Sequence, residues 1–177
     1  MVMKAVLMLV ILGVALCVNY PMYKQCDSKW GSEILGTGSK TICQAGCLMS
    51  SAAMALKGHG KNYDPHSLNQ WLKSNGGYAS GNLFVWASIN KLGFSFIGFV
   101  SNSQIKANID KGHVVICNVH NGGHWVLAHS YSGDNINVND PGYSTTSYPL
   151  SGIVNGNTGV YSVSRMPEFI YNIAYSM

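Results

Sequence analysis

Cys47, His124, Asp140 and Gln25 are the residues of this chain whose types, taken together, could run nucleophilic acyl chemistry. A thiol attacks a carbonyl carbon when an imidazole takes or holds its proton, a carboxylate orients that imidazole, and N–H donors receive the oxyanion. Each part has one candidate. Cys47 lies in TICQAGCLMSSAAMAL (Thr41–Leu56), read as a loop that delivers a cysteine to the mouth of a helix. Unpaired N–H groups and a partial positive charge at that position favour a thiolate. Taken alone, Cys47 reads equally well as a small buried helix residue. His124 follows Gly122-Gly123 and opens HWVLAHS (His124–Ser130), so its ring can sit at a sheet edge facing the helix mouth. Asp140 ends the next strand, and Pro141 after it biases its backbone towards extended geometry. In a hairpin of that length His124 and Asp140 become near neighbours. Gln25 can offer its side-chain amide to an oxyanion, with the Cys47 backbone N–H as second donor. Cys43, four residues before Cys47, is a rival nucleophile on the loop.

The remaining histidines and cysteines point elsewhere. His113, His120 and His129 read as packed or surface residues. His120, His124 and His129 are spaced so that the three do not share one strand face, which argues against zinc. Cys43 and Cys47 have no matching second pair, so no metal ligand set is expected, and no cofactor. Cys26 and Cys43 flank a loop and could pair in an oxidising compartment, tethering the N-terminal arm. Cys117, inside the apolar VVIC, is expected to be a buried core thiol. Trp30, Trp71, Trp86 and Trp125 could line a cleft, Trp71 and Trp86 being the better core candidates.

The elements that must position these groups follow from periodicity and punctuation. Met22–Gln25 is read as a short strand and Asp27–Gln44 as irregular, given Gly31, Gly36 and Gly38. A helix is predicted from Gly46 to Lys57, ended by Gly58 and Gly60. Asp64-Pro65 starts the next, with Leu68, Trp71 and Leu72 on its apolar stripe. Asn82–Leu92 reads as a third helix with Leu83, Trp86 and Ile89 inward. Phe94–Val100 reads as a strand, and Ser101 or Ser103 caps a helix to Lys111. Strands then dominate: His113–His120, His124–Ser130, Ile136–Asn139, Gly159–Ser164 and Phe169–Tyr175. Helices first and an antiparallel sheet second make an α+β fold.

Length and composition set the frame. The 177 residues fit one domain. Charged residues are 10% of the chain, well under the ~25% typical of globular proteins, which suits a secreted surface that is polar but uncharged. The net charge of +4 is dispersed, so no basic patch marks a nucleic-acid partner. Lys4 followed by the apolar run Ala5–Ala15 reads as a secretory signal peptide, too short to span a bilayer. Residues 1–17 are assigned to it, with cleavage after Ala15 or Cys17, and residues 18–177 to one domain. A secreted or lumenal/vacuolar location follows, with no stable membrane association after cleavage and a monomeric state.

Four segments together carry a resemblance: QCDSKWG (Gln25–Gly31), GCLMSSAAMAL (Gly46–Leu56), GHWVLAHSY (Gly123–Tyr131) and INVNDPG (Ile136–Gly142). The chain resembles the papain-like peptidase family thirty-nine and its stand-alone secreted relatives, whose founding members cut bacteriocin precursors after a double glycine. PHSLNQWLKSNGGY (Pro65–Tyr78) also looks like a segment of the stand-alone relatives. The resemblance implies a papain-like fold, a peptide or protein substrate, Cys47 as nucleophile, His124 as base, Asp140 as its orienting acid and Gln25 in the oxyanion hole. Many relatives have Gly-Cys-Gly-Pro where this chain has Gly46-Cys47-Leu48-Met49, a departure expected to narrow the cleft beside the thiol. No transporter segments follow in the chain, so leader removal coupled to export is not expected. Two further readings are a cell-wall amidase on the same scaffold and a secreted binding protein that kept the scaffold without catalysis.

Overall fold

The VVICNV stretch shows how the domain is layered. This strand, β4 (Val114–Val119) in the numbering below, is buried at all six positions, as expected for a strand covered on both faces rather than one. The structure, a computed structural model, describes residues 18–164. In chain order it contains α1 (Ile42–Ala45), α2 (Cys47–Gly58), α3 (Pro65–Ser74), β1 (Tyr78–Ala79), β2 (Leu83–Phe84), a 3₁₀ segment Trp86–Leu92, β3 (Phe94–Val100), α4 (Asn102–Asp110), β4, β5 (His124–Ser132), β6 (Asn135–Asn139), β7 (Ser147–Pro149) and β8 (Ile153–Val163). Six strands form one antiparallel sheet in the order β3-β8-β4-β5-β6-β7. The expected α+β architecture, with helices ahead of an antiparallel sheet, is what forms.

Two apolar layers sandwich the sheet. On one side Met49, Met54 and Leu56 of α2 and Leu68 and Leu72 of α3 pack with Val114, Ile116, Leu127 and Tyr161. On the other, Ile105 of α4 joins Val115, Val126, Ile136 and Val160. Each such fully buried aliphatic side chain contributes about 1.5–3 kcal/mol. Helix α2 is buried continuously from Met49 to Leu56, so its first residue, Cys47, is held by a rigid central element. Trp86 lies flat on β8 at Gly159, where an added Cβ would sit 2.0 Å from the indole.

Local signals explain most boundaries. Asp64 caps α3 through its carboxylate, which accepts from the Ser67 N–H at 2.8 Å, with Pro65 in the first turn. Ser101 opens α4, and Gln104 reaches back to its N–H at 3.1 Å. Gly93 turns the chain into β3 at φ +89°. β3 keeps the predicted Phe94–Val100 bounds.

Several expectations change. Met22–Gln25 forms no strand; this arm is tied down by single bonds to the β6 end instead. Thr41–Gln44, read as irregular, is a capping box that opens the one-turn α1, with Thr41 N–H donating to Gln44 Oε1 at 2.9 Å. Asn82–Leu92 is not one helix. It begins as the β1-β2 hairpin, which leaves Leu83 62% exposed rather than inward, and only Trp86–Leu92 is helical. β7 had no sequence signal, and β8 begins at Ile153, earlier than the predicted Gly159. The signal segment 1–17 and the strand Phe169–Tyr175 lie outside the described residues.

Candidate active site

Gly46 is the hinge that delivers Cys47. It closes α1 by donating to Ile42 O at 2.7 Å and serves as the N-cap of α2. An added Cβ there would meet Ile42 O at 2.5 Å, so only glycine lets the two helices abut. Cys47 is therefore the first residue of a twelve-residue helix. The N–H groups of that first turn have no partner four residues back and face the N-terminal mouth.

His124 opens β5 directly opposite Val119, the last residue of β4. The short link between them, through Gly122 and Gly123, sets the ring at the sheet end. It is 6% exposed. Its Nε2 lies 2.7 Å from Asp140 Oδ1. Cys47 lines the same cleft. Burial pushes the imidazole towards neutrality, but the hydrogen bond and negative charge of Asp140, with Cys47 nearby, outweigh it and raise the pKa to about 9. A protonated ring carries an N–H donor on both nitrogens.

Asp140 is fully buried. Its Oδ1 also accepts from the Gly142 N–H at 2.8 Å and the Tyr143 N–H at 2.9 Å, and its Oδ2 accepts from the Tyr148 hydroxyl at 2.7 Å. Burial raises the carboxyl pKa, but bonds from His124, Tyr143, Tyr148 and Gly142 overcome that and lower it to about 2. The Asp-Pro-Gly turn thus supplies both the carboxylate and two of its donors.

Gln25 reaches the cleft from the N-terminal arm. Its backbone N–H donates to Pro141 O at 2.9 Å. Beside it, Lys24 Nζ donates to Asp140 O at 2.6 Å, and Asn139 Nδ2 to Tyr20 O at 3.1 Å. The Gln25 Nε2 donates to Cys43 O at 2.6 Å. The second hydrogen on that nitrogen has no protein partner among the described residues. Cys43 itself is bonded to Cys26 in a disulfide, which removes the rival nucleophile and fixes the acceptor that holds Gln25. Cys117 is fully buried, and its thiol pKa is pushed up to about 12 by that burial.

Cys47, His124 and Gln25 line one cleft of about 730 Å³, with Asp140 behind the histidine. The opposite bank carries Leu35, Tyr78, Leu83 and Phe84. Buried Asn69 of α3 pins that bank: its Oδ1 accepts from Gly36 N–H at 3.1 Å and Tyr78 OH at 2.9 Å, and its Nδ2 donates to Ile34 O at 3.0 Å. Leu48 and Met49 both line the cleft beside the thiol. Of the tryptophans only Trp125 lines it; Trp30 is 5% exposed in the core, and Trp71 and Trp86 pack against that core. His113 bonds to Asn108 and His129 to Ser130, away from the cleft. Sequence reasoning missed Tyr148 and Gly142. The turn dipeptide Pro141-Gly142 was visible, but the register that brings Tyr148 to Asp140 was not. Among the described residues no group of three or more His, Cys, Asp or Glu is arranged to hold a metal ion, and no helix is long and apolar enough to cross a membrane.

A thiol at a helix mouth and an imidazole–carboxylate pair at a sheet end thus meet at one cleft of an α+β scaffold. The chain belongs to the Peptidase C39-like family, which matches residues 17–153. Solved structures agree on the fold. A double glycine motif protease from an AMS/PCAT transporter, in complex with its leader peptide, aligns at TM-score 0.55 and 16% identity over 83% of this chain and 94% of that one. A C39-like peptidase structure from Bacillus anthracis aligns at 0.54 and 15% over 84% and 97%. The peptidase domain of Streptococcus ComA, a bi-functional ABC transporter involved in quorum sensing, aligns at 0.55 and 14% over 83% and 100%. No curated protein matches the chain.

Proposed function

We propose that this chain is a secreted cysteine peptidase that cleaves a peptide or related amide bond. The Cys47 thiolate attacks the carbonyl carbon and the carbonyl oxygen takes the negative charge. The Cys47 N–H and the free Gln25 amide hydrogen receive that oxyanion. His124, as imidazolium, gives its proton to the leaving amine, and the C–N bond breaks to leave a thioester. Neutral His124 then takes a proton from water, the hydroxide adds to the thioester, and Cys47 leaves as the thiolate beside a restored imidazolium.

The observation that carries this reading is the His124 ring, 2.7 Å from Asp140 Oδ1 and sharing one cleft with Cys47. Membership of a peptidase-like family and a fold shared with a leader-peptide-bound protease support a peptide as substrate class. The apolar run after Lys4 and the Cys26–Cys43 disulfide support passage through an oxidising compartment.

A thiol-directed probe tests the reading. Labelling at Cys47 that disappears in Cys47→Ala and falls sharply in His124→Ala supports it. Equal labelling of wild type and His124→Ala marks an inert thiol and ends the hydrolase assignment. Zymography on casein against peptidoglycan then separates peptide from cell-wall amide cleavage.

A further inference from the structure

The Asp140 carboxylate has two oxygens with unequal surroundings. Oδ1 receives His124 and two backbone N–H groups, whereas the one protein donor to Oδ2 among the described residues is the Tyr148 hydroxyl, at 2.7 Å. Tyr148 is itself 8% exposed. Its hydroxyl proton is committed, because an ionised carboxylate only accepts. In the bond between the Tyr148 oxygen and His120 Nε2, at 3.2 Å, the imidazole is therefore the donor. That requires a proton on His120 Nε2.

His120 is placed there at a backbone cost. It has φ +52°, and Asn121 after it has φ +53°, left-handed values that a β-carbon disfavours. The strained turn lays the His120 ring beside His124, with centroids 5.6 Å apart and planes 26° from parallel. Tyr143 stands edge-on to both rings, at 4.8 and 5.1 Å. His120 is exposed, as a surface residue is expected to be, yet its ring is held among Tyr143, Tyr148 and His124.

We propose that Tyr148 and His120 extend the His124–Asp140 pair beside Cys47 into a four-residue hydrogen-bonded chain, in which Tyr148 positions the Asp140 carboxylate and His120 sets the direction of the Tyr148 hydroxyl. This rests on the peptidase reading of the same site. Neither residue touches the reacting atoms; both are positioning residues. Without the Tyr148 donor a buried, charged oxygen loses its partner, and the carboxylate is free to tilt out of the plane that aligns His124 with Cys47. The ionisable groups around the chain are His124 and Asp140 at the strand ends, Tyr143 in the turn after Pro141, and Lys24, whose ammonium binds the Asp140 and Tyr143 carbonyl oxygens.

The test uses the full chain and Tyr148→Phe, His120→Ala and His120→Gln, the last keeping an N–H donor at the same reach. Two readouts need no substrate: the pH profile of iodoacetamide alkylation at Cys47, and the NMR signal of the proton between His124 Nε2 and Asp140. Tyr148→Phe is expected to slow alkylation on the acid side about tenfold, the scale of one hydrogen bond to a charged group, and to shift the NMR signal. His120→Ala should do the same more weakly and His120→Gln should restore it. A Tyr148→Phe profile and signal that superimpose on wild type, or a His120→Gln no better than His120→Ala, overturns the proposal. Should Tyr148→Phe fail to fold, the two His120 variants decide alone. A wild-type Cys47 that resists alkylation on the acid side overturns the peptidase reading instead, and the NMR signal still decides this one.

Discussion

Gly142 packs its bare α-carbon against the His124 imidazole: a β-carbon there would lie 2.8 Å from Cε1 and 3.3 Å from Nε2 of that ring. Nothing in the Gly142 backbone demands glycine, since its φ is not left-handed. The demand comes from the ring. The same residue donates its N–H to Asp140, so one position sets both the distance and the tilt of the histidine–carboxylate pair.

Gly142→Ala is therefore expected to displace a ring that is buried and bonded to Asp140. The turnover number should fall about 10²-fold, the scale of a 1 Å misplacement in a reacting pair, with KM little changed. Steady-state kinetics on a cleavable peptide check this, and an unchanged turnover number would show that the ring has room to yield.

Asp140→Asn replaces an acceptor with a group whose amide nitrogen faces N–H and O–H donors. Hydrolysis should fall roughly 10³–10⁴-fold, as when a triad carboxylate becomes an amide, and denaturant unfolding should show a loss of roughly 3 kcal/mol. The acid dependence should change too. Because the folded pKa is depressed to about 2, ionised Asp140 stabilises the fold above the unfolded value near ~4, and that contribution is lost as pH falls through this range. Acid titrations of wild type should show this loss and those of Asp140→Asn should not.

The His124 pKa, held at about 9, works in the opposite direction. Its contribution to stability is complete below the unfolded value near ~6.5 and is lost as pH rises to about 9. The imidazolium that protonates the leaving group persists through most of that interval and disappears around pH 9. The kcat/KM profile should therefore break downward near pH 9. A break near the ordinary histidine value would mean that the ring is not paired as described.

Removing the disulfide with Cys26→Ala/Cys43→Ala reopens a loop spanning 17 residues, and stability should drop by about 3 kcal/mol on chain-entropy grounds. It should also lower the turnover number more than it raises KM, because the Cys43 carbonyl is what holds the Gln25 amide. Thermal melts and kinetics, measured below the variant's own midpoint, separate the two effects. A stability loss with an unchanged turnover number would leave Gln25 out of the oxyanion site.

The helices and strands were legible where side chains act on their own neighbourhood. Asp64-Pro65, Ser101 and Gly93 each punctuate the chain through bonds or backbone freedom within three or four residues, and β3 came out at its predicted bounds. The Thr41–Gln44 capping box was equally local and was passed over because the surrounding glycines suggested an irregular stretch. Leu83 was misplaced because apolar spacing in Asn82–Leu92 fits a helix as well as a hairpin, and only the pairing of Tyr78 with Phe84 and Ala79 with Leu83 decides between them.

The amino-acid sequence by itself determined which side chains could do the chemistry, and put Cys47 at a helix start and His124 at a strand start, because capping and turn formation are short-range effects. Only the tertiary structure decided that Cys43 is tied to Cys26, that His124 turns Nε2 to Asp140, and that Gly142, Tyr148 and His120 surround that pair. Those contacts join residues from 2 to 28 positions apart, and the Gln25–Pro141 bond joins two residues more than 100 apart. Strand register and core packing set such distances, and spacing along the chain does not.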